Sequence, residues 1–153
     1  MVTRRHAKRP SEMALAIRDL LRANGEATQG LARRLGMGVT DAVALDHLLS
    51  SPDGLGPTEL GQRLSIRSAS ATTLVDRLQA AGHAQRVPHP SDRRRQTVVA
   101  TDKAYEEAIN ALTPLFHGVE QAAARLDPEQ AATTIAFLRE VTAVMRDYAA
   151  GRR

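Results

Sequence analysis

Residues 58–101 constrain the fold more than any other part of this 153-residue chain. Leu60 and Leu64 lie four positions apart, a spacing typical of one face of a short helix. From residue 67 to residue 81, apolar side chains recur at i, i+3, i+4 and i+7, and the opposite face carries short polar side chains. Gly82 follows directly and indicates the left-handed residue that ends a helix. The stretch therefore predicts two helices joined by a turn, the second with a polar outer face.

A β-hairpin is predicted immediately after these helices. Residues 84–87 and 96–100 are short β-compatible runs, and the segment Pro-His-Pro-Ser-Asp-Arg-Arg-Arg between them is too long and proline-rich for a tight turn. Three consecutive arginines repel one another unless an anion is near, and a DNA backbone or a narrow minor groove supplies one. Small side chains and hydroxyls on the preceding helix suit a close approach to base edges. Two helices and a basic hairpin of this kind form a winged helix.

Three short motifs resemble the MarR family of bacterial transcription regulators. They are Leu-Val-Asp-Arg-Leu at 74–78, Gly82, and Ser-Asp-Arg-Arg at 91–94. The resemblance extends over nearly the whole chain, because the length and the flanking helices also fit. Two positions depart from it: His83 stands where members often have a large apolar residue, and Ala104 where they often have glycine. The resemblance implies a mostly α fold with a small β-hairpin wing, a winged helix-turn-helix with N- and C-terminal dimerisation helices.

The chain divides into three predicted regions: a basic N-terminal tail at 1–10, a DNA-binding lobe at 39–101, and a helical dimerisation region at 11–36 and 102–150. Arg4, Arg5, Lys8 and Arg9 have no acid among them, so they account for the whole formal net charge of +4. The tail is interpreted either as a disordered solubilising segment or as an arm that reaches DNA.

Local signals predict where the flanking helices begin. By the resemblance, one helix runs from about residue 11 to residue 36, although Asn24-Gly25 alone would indicate a turn. Asp127 followed by Pro128 and Gln130 is typical of a capped helix start. The predicted starts are Ser11, Thr40, Pro57, Thr101 and Asp127.

The first and last helices carry apolar stripes that a small winged-helix core cannot bury. We therefore predict a homodimer in which N- and C-terminal helices of two chains pack together, as they do in the family. A two-fold protein reads an inverted-repeat operator.

The predicted DNA contacts lie on the second helix of the motif and on the wing tip. They are Arg67, Ser68, Ser70, Thr72, Thr73, Arg77, Arg93, Arg94 and Arg95. The hydroxyl residues are expected to contact bases or phosphates. The resemblance implies that Asp92 steadies the tip by pairing with an arginine, Arg94. Arg77 is expected to bind a phosphate or the acid of the wing, and the alternative is an ion pair with Asp76 or another neighbour.

Other classes of function are not supported by the residue pattern. The absence of cysteine excludes disulfides, thiolate metal sites and a cysteine redox switch. The five histidines have no close metal-ligand spacing, so no metal or cofactor is predicted, and structural or surface roles are expected, with His89 at the wing able to touch a phosphate. No catalytic triad, Gly-rich phosphate loop or paired-carboxylate motif appears. An enzyme is therefore not predicted.

The prediction is a sequence-specific, double-stranded DNA-binding transcription regulator, a repressor released by a small-molecule effector. With 3% aromatic residues, an effector pocket would be aliphatic, and the effector-binding residues are unknown. The alternative is a winged-helix protein-interaction or structural module without specific DNA reading. No apolar stretch approaches the roughly 20 residues of a membrane span, and the basic N-terminus lacks the apolar core of a signal peptide. A cytoplasmic location is expected.

Overall fold

The protein is described by a computed structural model over residues 9–89, 91–92 and 94–152. In this part of the chain, helices and one hairpin follow in the order α1 (Glu12–Arg34), α2 (Val39–Leu49), α3 (Pro57–Arg63), α4 (Ser68–Ala80), β1 (Ala84–Pro88), β2 (Gln96–Ala100), α5 (Asp102–Ala123) and α6 (Pro128–Ala149). The mostly α fold with a small β-hairpin wing is confirmed.

The chain forms two compact units, Met1–Ala111 and Leu112–Arg153. The first unit contains one apolar core to which α2, α3, α4 and both strands contribute. Its buried members are Ala44, Leu48, Leu55, Leu60, Leu74, Val75, Leu78, Ala84 and Val98. Because the helices and the hairpin share this core, packing fixes the orientation of α4 relative to the strands.

The two strands pair antiparallel, with Ala84 opposite Ala100 and Pro88 opposite Gln96. On its other edge, β2 is bridged by the loop before α3, where Leu55 and Val98 exchange backbone hydrogen bonds of 2.9 and 2.8 Å. Gly54 makes this approach possible. Its φ is +78°, and a Cβ there would lie 2.6 Å from the carbonyl oxygen of Val98.

Most predicted helix starts are confirmed. The Ser11 hydroxyl accepts the N–H of Ala14 at 3.2 Å, and the Thr101 hydroxyl accepts that of Ala104 at the same distance. Pro57 occupies the first turn of α3. At the start of α6, the side chain and backbone of Asp127 and Gln130 bond reciprocally, at 2.8 and 3.0 Å.

One local prediction is wrong. Thr40 does not cap α2: Gly38 is the extended N-cap residue, Val39 is already helical, and Thr40 lies in the first turn. The prediction of one helix across Asn24-Gly25 is confirmed: α1 continues from Glu12 to Arg34, and the turn that these two residues alone would indicate does not form. Turn propensity there is outweighed by the helical pattern on both sides. Among the described residues, no helix is long and apolar enough to cross a membrane.

Candidate nucleic-acid interface

Helix α4 has one buried face and one exposed polar face. Ala71, Leu74, Val75 and Leu78 are buried in the core, whereas the predicted contacts Ser68, Ser70, Thr72 and Thr73 are all exposed. The helix ends in a Schellman motif, in which the N–H of His83 bonds the carbonyl of Leu78 at 2.8 Å. This ending requires the left-handed φ of +76° that Gly82 adopts. We refer to α4 as the recognition helix.

The hydroxyl groups of the recognition helix differ in what they can offer a ligand. Thr72 donates to the carbonyl of Ser68, and Thr73 donates to that of Ala69, each at 3.1 Å. A hydroxyl has one hydrogen, so these two threonines present only lone pairs and methyl groups outward. Ser70 has no such backbone bond in the part of the chain that the structure describes, so its hydroxyl keeps a hydrogen to donate.

Arg77 is held by an acid that the sequence analysis did not identify. Its Nε and Nη2 donate to the two carboxylate oxygens of Asp41 on α2, at 3.0 and 2.6 Å. The hydrogen bonds and the charge of Asp41 raise the pKa of Arg77. The Asp41 side chain is 12% exposed and that of Arg77 is 54% exposed, so the guanidinium faces solvent while its anchor is covered. The ion pair that Arg77 forms is therefore with Asp41 on α2, 36 positions away, and not with Asp76 on its own helix.

Asp76 is bound from the wing instead. Arg86, on β1, contacts Asp76 at 2.8 Å and also donates to Gln79. These bonds connect the first strand of the wing to the middle of the recognition helix. Sequence reasoning missed Arg86, because no local pattern relates a cation on β1 to an acid ten positions earlier on α4. With the shared core, this connection fixes the position of the wing beside the recognition helix.

The wing tip is organised by Asp92, in a different way from the predicted one. Its carboxylate accepts the backbone N–H of Arg94 at 3.1 Å rather than pairing with the guanidinium. A carboxylate reaches an amide two residues ahead easily and so forms an Asx turn. The Asp92 carbonyl accepts the N–H of Arg95 at 2.9 Å, and the carbonyl of Arg95 accepts that of His89 at 3.0 Å. The side chains of Arg94 and Arg95 are exposed.

Some predicted DNA contacts lie outside the part of the chain that the structure describes. Arg93 and most of the basic tail, residues 1–8, lie outside the described residues. Arg67 is described as the extended N-cap residue of α4 and is exposed. In the described chain, no group of three or more acidic residues and histidines is arranged to hold a metal ion.

An open cleft of about 380 Å³ lies between the recognition helix and the start of α2. Its walls combine hydroxyls, one guanidinium and apolar stems. The lining residues are Thr40, Ile66, Ala69, Ser70, Thr73, Leu74 and Arg77. We call this feature the α2–α4 cleft.

The departure at His83 is explained by a polar contact with α5. His83 is 5% exposed, and its Nε2 lies 2.6 Å from a carboxylate oxygen of Glu107 on α5. A carboxylate only accepts, so Nε2 carries the hydrogen. This hydrogen bond lowers the pKa of Glu107, and the charge of Lys103 adds to the effect.

Comparison with known proteins agrees with this geometry. Residues 35–95 match the sequence profile of the MarR family. The chain is 27% identical to the uncharacterized HTH-type transcriptional regulator YcgE of Bacillus subtilis, over 90% of this chain and 91% of that protein. It is 38% identical to the HTH-type transcriptional regulator TtmR of Methylorubrum extorquens, over 37% of this chain and 29% of that protein.

Solved structures share the fold at low sequence identity. The transcriptional regulator Tm0710 from Thermotoga maritima superposes with a TM-score of 0.67 at 21% identity, over 89% of this chain and 96% of that one. A MepR–DNA complex from S. aureus superposes with a TM-score of 0.55 at 16% identity, over 86% of this chain and 98% of that one.

Proposed function

Residues 35–95 match the MarR family, and from this premise we propose that the protein is a sequence-specific regulator of transcription that binds double-stranded DNA. Family and fold are those of transcription regulators, which are not enzymes. The S. aureus relative of the same fold was solved in complex with DNA. Relatives named as HTH-type transcriptional regulators support the same function.

One observation carries the proposal: an exposed polar face on the recognition helix stands beside an arginine-bearing wing on a common core. The helix offers small side chains, which allow close approach to base edges in a major groove. The wing offers Arg94 and Arg95, exposed at its tip, for phosphates or an adjacent minor groove. Arg93 and Arg67 are proposed to extend this basic surface.

Selection from a random pool of duplexes tests the proposal. We expect enrichment of an inverted repeat, with binding that weakens steeply as salt increases, because phosphate contacts release counterions. The double variant Arg94→Ala/Arg95→Ala should lower the salt slope by about two contacts. The control Arg125→Ala removes one charge from the α5–α6 connection and should leave the affinity unchanged. Binding without any sequence enrichment would favour the alternative, a protein-interaction module.

We further propose that the protein acts as a homodimer. Apolar side chains along α6 stay exposed in the single chain, among them Ile135, Leu138 and Met145, and no described residue of α6 is buried. On α1, Met13, Leu20 and Leu21 are also exposed. A second copy of the chain would cover such surfaces and would supply the two-fold symmetry of an inverted-repeat operator.

Repression relieved by a small-molecule effector is the regulatory mode that we propose, on the grounds of the family alone. A regulator of this type works where the chromosome is, in the cytoplasm. A reporter gene placed downstream of the selected duplex tests the mode: expression should fall when the protein is present. A rise in expression would indicate an activator.

A further inference from the structure

We propose that the α2–α4 cleft binds one phosphate of the DNA backbone through Arg77, Ser70 and Thr40, and that Asp41 is the positioning residue that holds Arg77 there. This inference rests on the proposed function. In this inference Ser70 contacts the DNA backbone, and the bases are contacted by the outermost side chains of the recognition helix and by those facing the wing.

The Asp41–Arg77 ion pair orients the guanidinium and leaves some of its N–H donors free. Asp41 accepts from Nε and from one Nη2 hydrogen, at 3.0 and 2.6 Å. The Nη1 amino group and the second Nη2 hydrogen remain for another acceptor. Two bonds to a fixed carboxylate restrict the rotamers of a long side chain, so less conformational entropy is lost when a phosphate binds.

The two members of the ion pair differ in how far their side chains are exposed to solvent. The Asp41 side chain is 12% exposed and both of its oxygens accept from Arg77, whereas Arg77 is 54% exposed, so a phosphate can reach the guanidinium without contacting the carboxylate. The arrangement presents positive donors outward and keeps the acid beneath them.

The cleft supplies the other donors that a phosphate needs. Ser70 and Thr40 line it from its two sides, and both residues are exposed. Among the described residues, neither hydroxyl donates to the backbone as Thr72 and Thr73 do. Thr73 also lines the cleft, but its hydrogen is committed to Ala69 at 3.1 Å. A phosphate oxygen only accepts, so the free hydroxyls of Ser70 and Thr40 fit it and that of Thr73 does not.

Position on the helix separates Ser70 from the base-reading face. Ser70 and Arg77 are seven residues apart and therefore share one side of α4, toward α2. Thr72, Asp76 and Gln79 lie on the other side, toward the wing, where Arg86 binds the last two. Thr73 and Ala69 project between these sides, farthest from the core. Sequence preference is therefore expected to depend on Thr72 and Thr73 more than on Ser70.

A phosphate-by-phosphate experiment tests this assignment. Duplexes carrying the sequence that the parent protein selects would be made with one methylphosphonate each, which removes one backbone charge. Affinities would be measured for the parent, Arg77→Ala, Arg77→Lys, Asp41→Asn, Ser70→Ala and the control Thr72→Ala, each first shown by thermal melting to be folded.

At one linkage in each half-site, the parent should lose roughly tenfold in affinity, the size of one charge-assisted contact. Arg77→Ala and Asp41→Asn should bind the unmodified duplex roughly tenfold more weakly than the parent does. The methylphosphonate at that linkage should then lower their affinity little further, because two changes to one direct contact are not additive. Ser70→Ala should also lose little more at that linkage, and it should weaken binding to unmodified duplexes of different sequence by the same factor. Arg77→Lys keeps the charge but loses the paired bonds, and should recover only part of the affinity. Thr72→Ala should keep the full response at that linkage.

Asp41→Asn is the most informative variant because it makes the protein more positive. Charge alone predicts tighter DNA binding, whereas loss of the positioning bond predicts weaker binding. Tighter binding, or a parent-like response of Arg77→Ala at every linkage, would overturn the inference while leaving the proposed function intact. A parent protein that selects no duplex would overturn both.

Discussion

At the wing tip, the carboxylate of Asp92 has two opposite effects on DNA binding. Asp92 accepts the N–H of Arg94 at 3.1 Å, so it shapes the turn that presents the arginines. Its own negative charge opposes the approach of DNA. The two effects have opposite signs, which makes them separable by substitution.

Two substitutions at this position should act in opposite directions. Asp92→Ala removes the Asx turn and should weaken operator binding, although it makes the protein more positive. Asp92→Asn keeps a side-chain oxygen that accepts the same N–H, so binding should stay equal or tighten. Titration of one labelled duplex at two salt concentrations measures both. If the alanine variant binds more tightly than the parent, Asp92 has no structural role at the tip.

The buried His83 makes the lobe sensitive to acid through Glu107. Because the hydrogen bond from His83 lowers the pKa of Glu107 below its ordinary value of 4.5, the folded state binds the Glu107 proton less readily than the unfolded state. The resulting stabilisation is complete above about pH 4.5 and is lost as the pH falls through the lower pKa of the folded state.

Thermal melting between about pH 7 and about pH 3 should show this dependence. The parent should be more stable than Glu107→Gln at neutral pH, and the difference should shrink below about pH 4.5. Glu106→Gln removes the same charge from an exposed neighbour and serves as the control. A constant difference across the whole pH range would mean that the contact contributes through packing alone.

At the level of elements, the wing depends on a glycine in a loop that belongs to neither strand. Gly54 has a φ of +78°, and a Cβ there would meet backbone and side-chain atoms of β2 at 2.4 to 2.6 Å. Gly54→Ala should lower the free energy of unfolding by about 2 kcal/mol or more, because strain and overlap add. Chemical denaturation measures the loss.

Gly25 provides the opposite case within the same chain. It lies in the interior of α1, is exposed, and has open space where a Cβ would stand. Gly25→Ala should therefore raise the free energy of unfolding by about 0.5–1 kcal/mol through helix propensity. A loss of stability would indicate that a partner chain packs against this turn of α1.

At the scale of the whole molecule, the exposed apolar side of α6 is the feature that a single chain leaves unexplained. Ile135, Leu138, Arg139, Thr142, Ala143 and Arg146 line a groove of about 430 Å³ on this helix. Leu138 is 42% exposed in one chain, so a charge there disturbs no core. Leu138→Glu should leave the chain folded and raise the dimer dissociation constant by at least about tenfold, which sedimentation can measure.

Two further variants of the protein complete this test of the dimer. Ala136→Glu places the same charge on the same helix outside the groove and should remain dimeric. Truncation after Asp127 removes the whole helix and should abolish the dimer or make the product insoluble. A soluble monomer that still binds the selected duplex tightly would exclude the dimer as the DNA-binding form.

The fold was predictable because its signals are local. The pattern of Leu74, Val75 and Leu78 reports the buried side of one helix, and Gly82 reports its end, since each depends on residues within one or two turns. The capping box at Asp127 and Gln130 is local in the same way. An anionic partner for the wing arginines was also predictable, because a run of like charges indicates such a partner regardless of the surrounding fold.

Only the tertiary structure identified the partners of these residues. Asp41 and Arg77 are 36 positions apart, and no periodicity relates an acid at the start of α2 to a cation on α4. The same holds for Arg86 with Asp76, and for His83 with Glu107. Sequence patterns specify which face of an element is buried, whereas side-chain pairing depends on how elements pack, and packing is decided by the whole core at once.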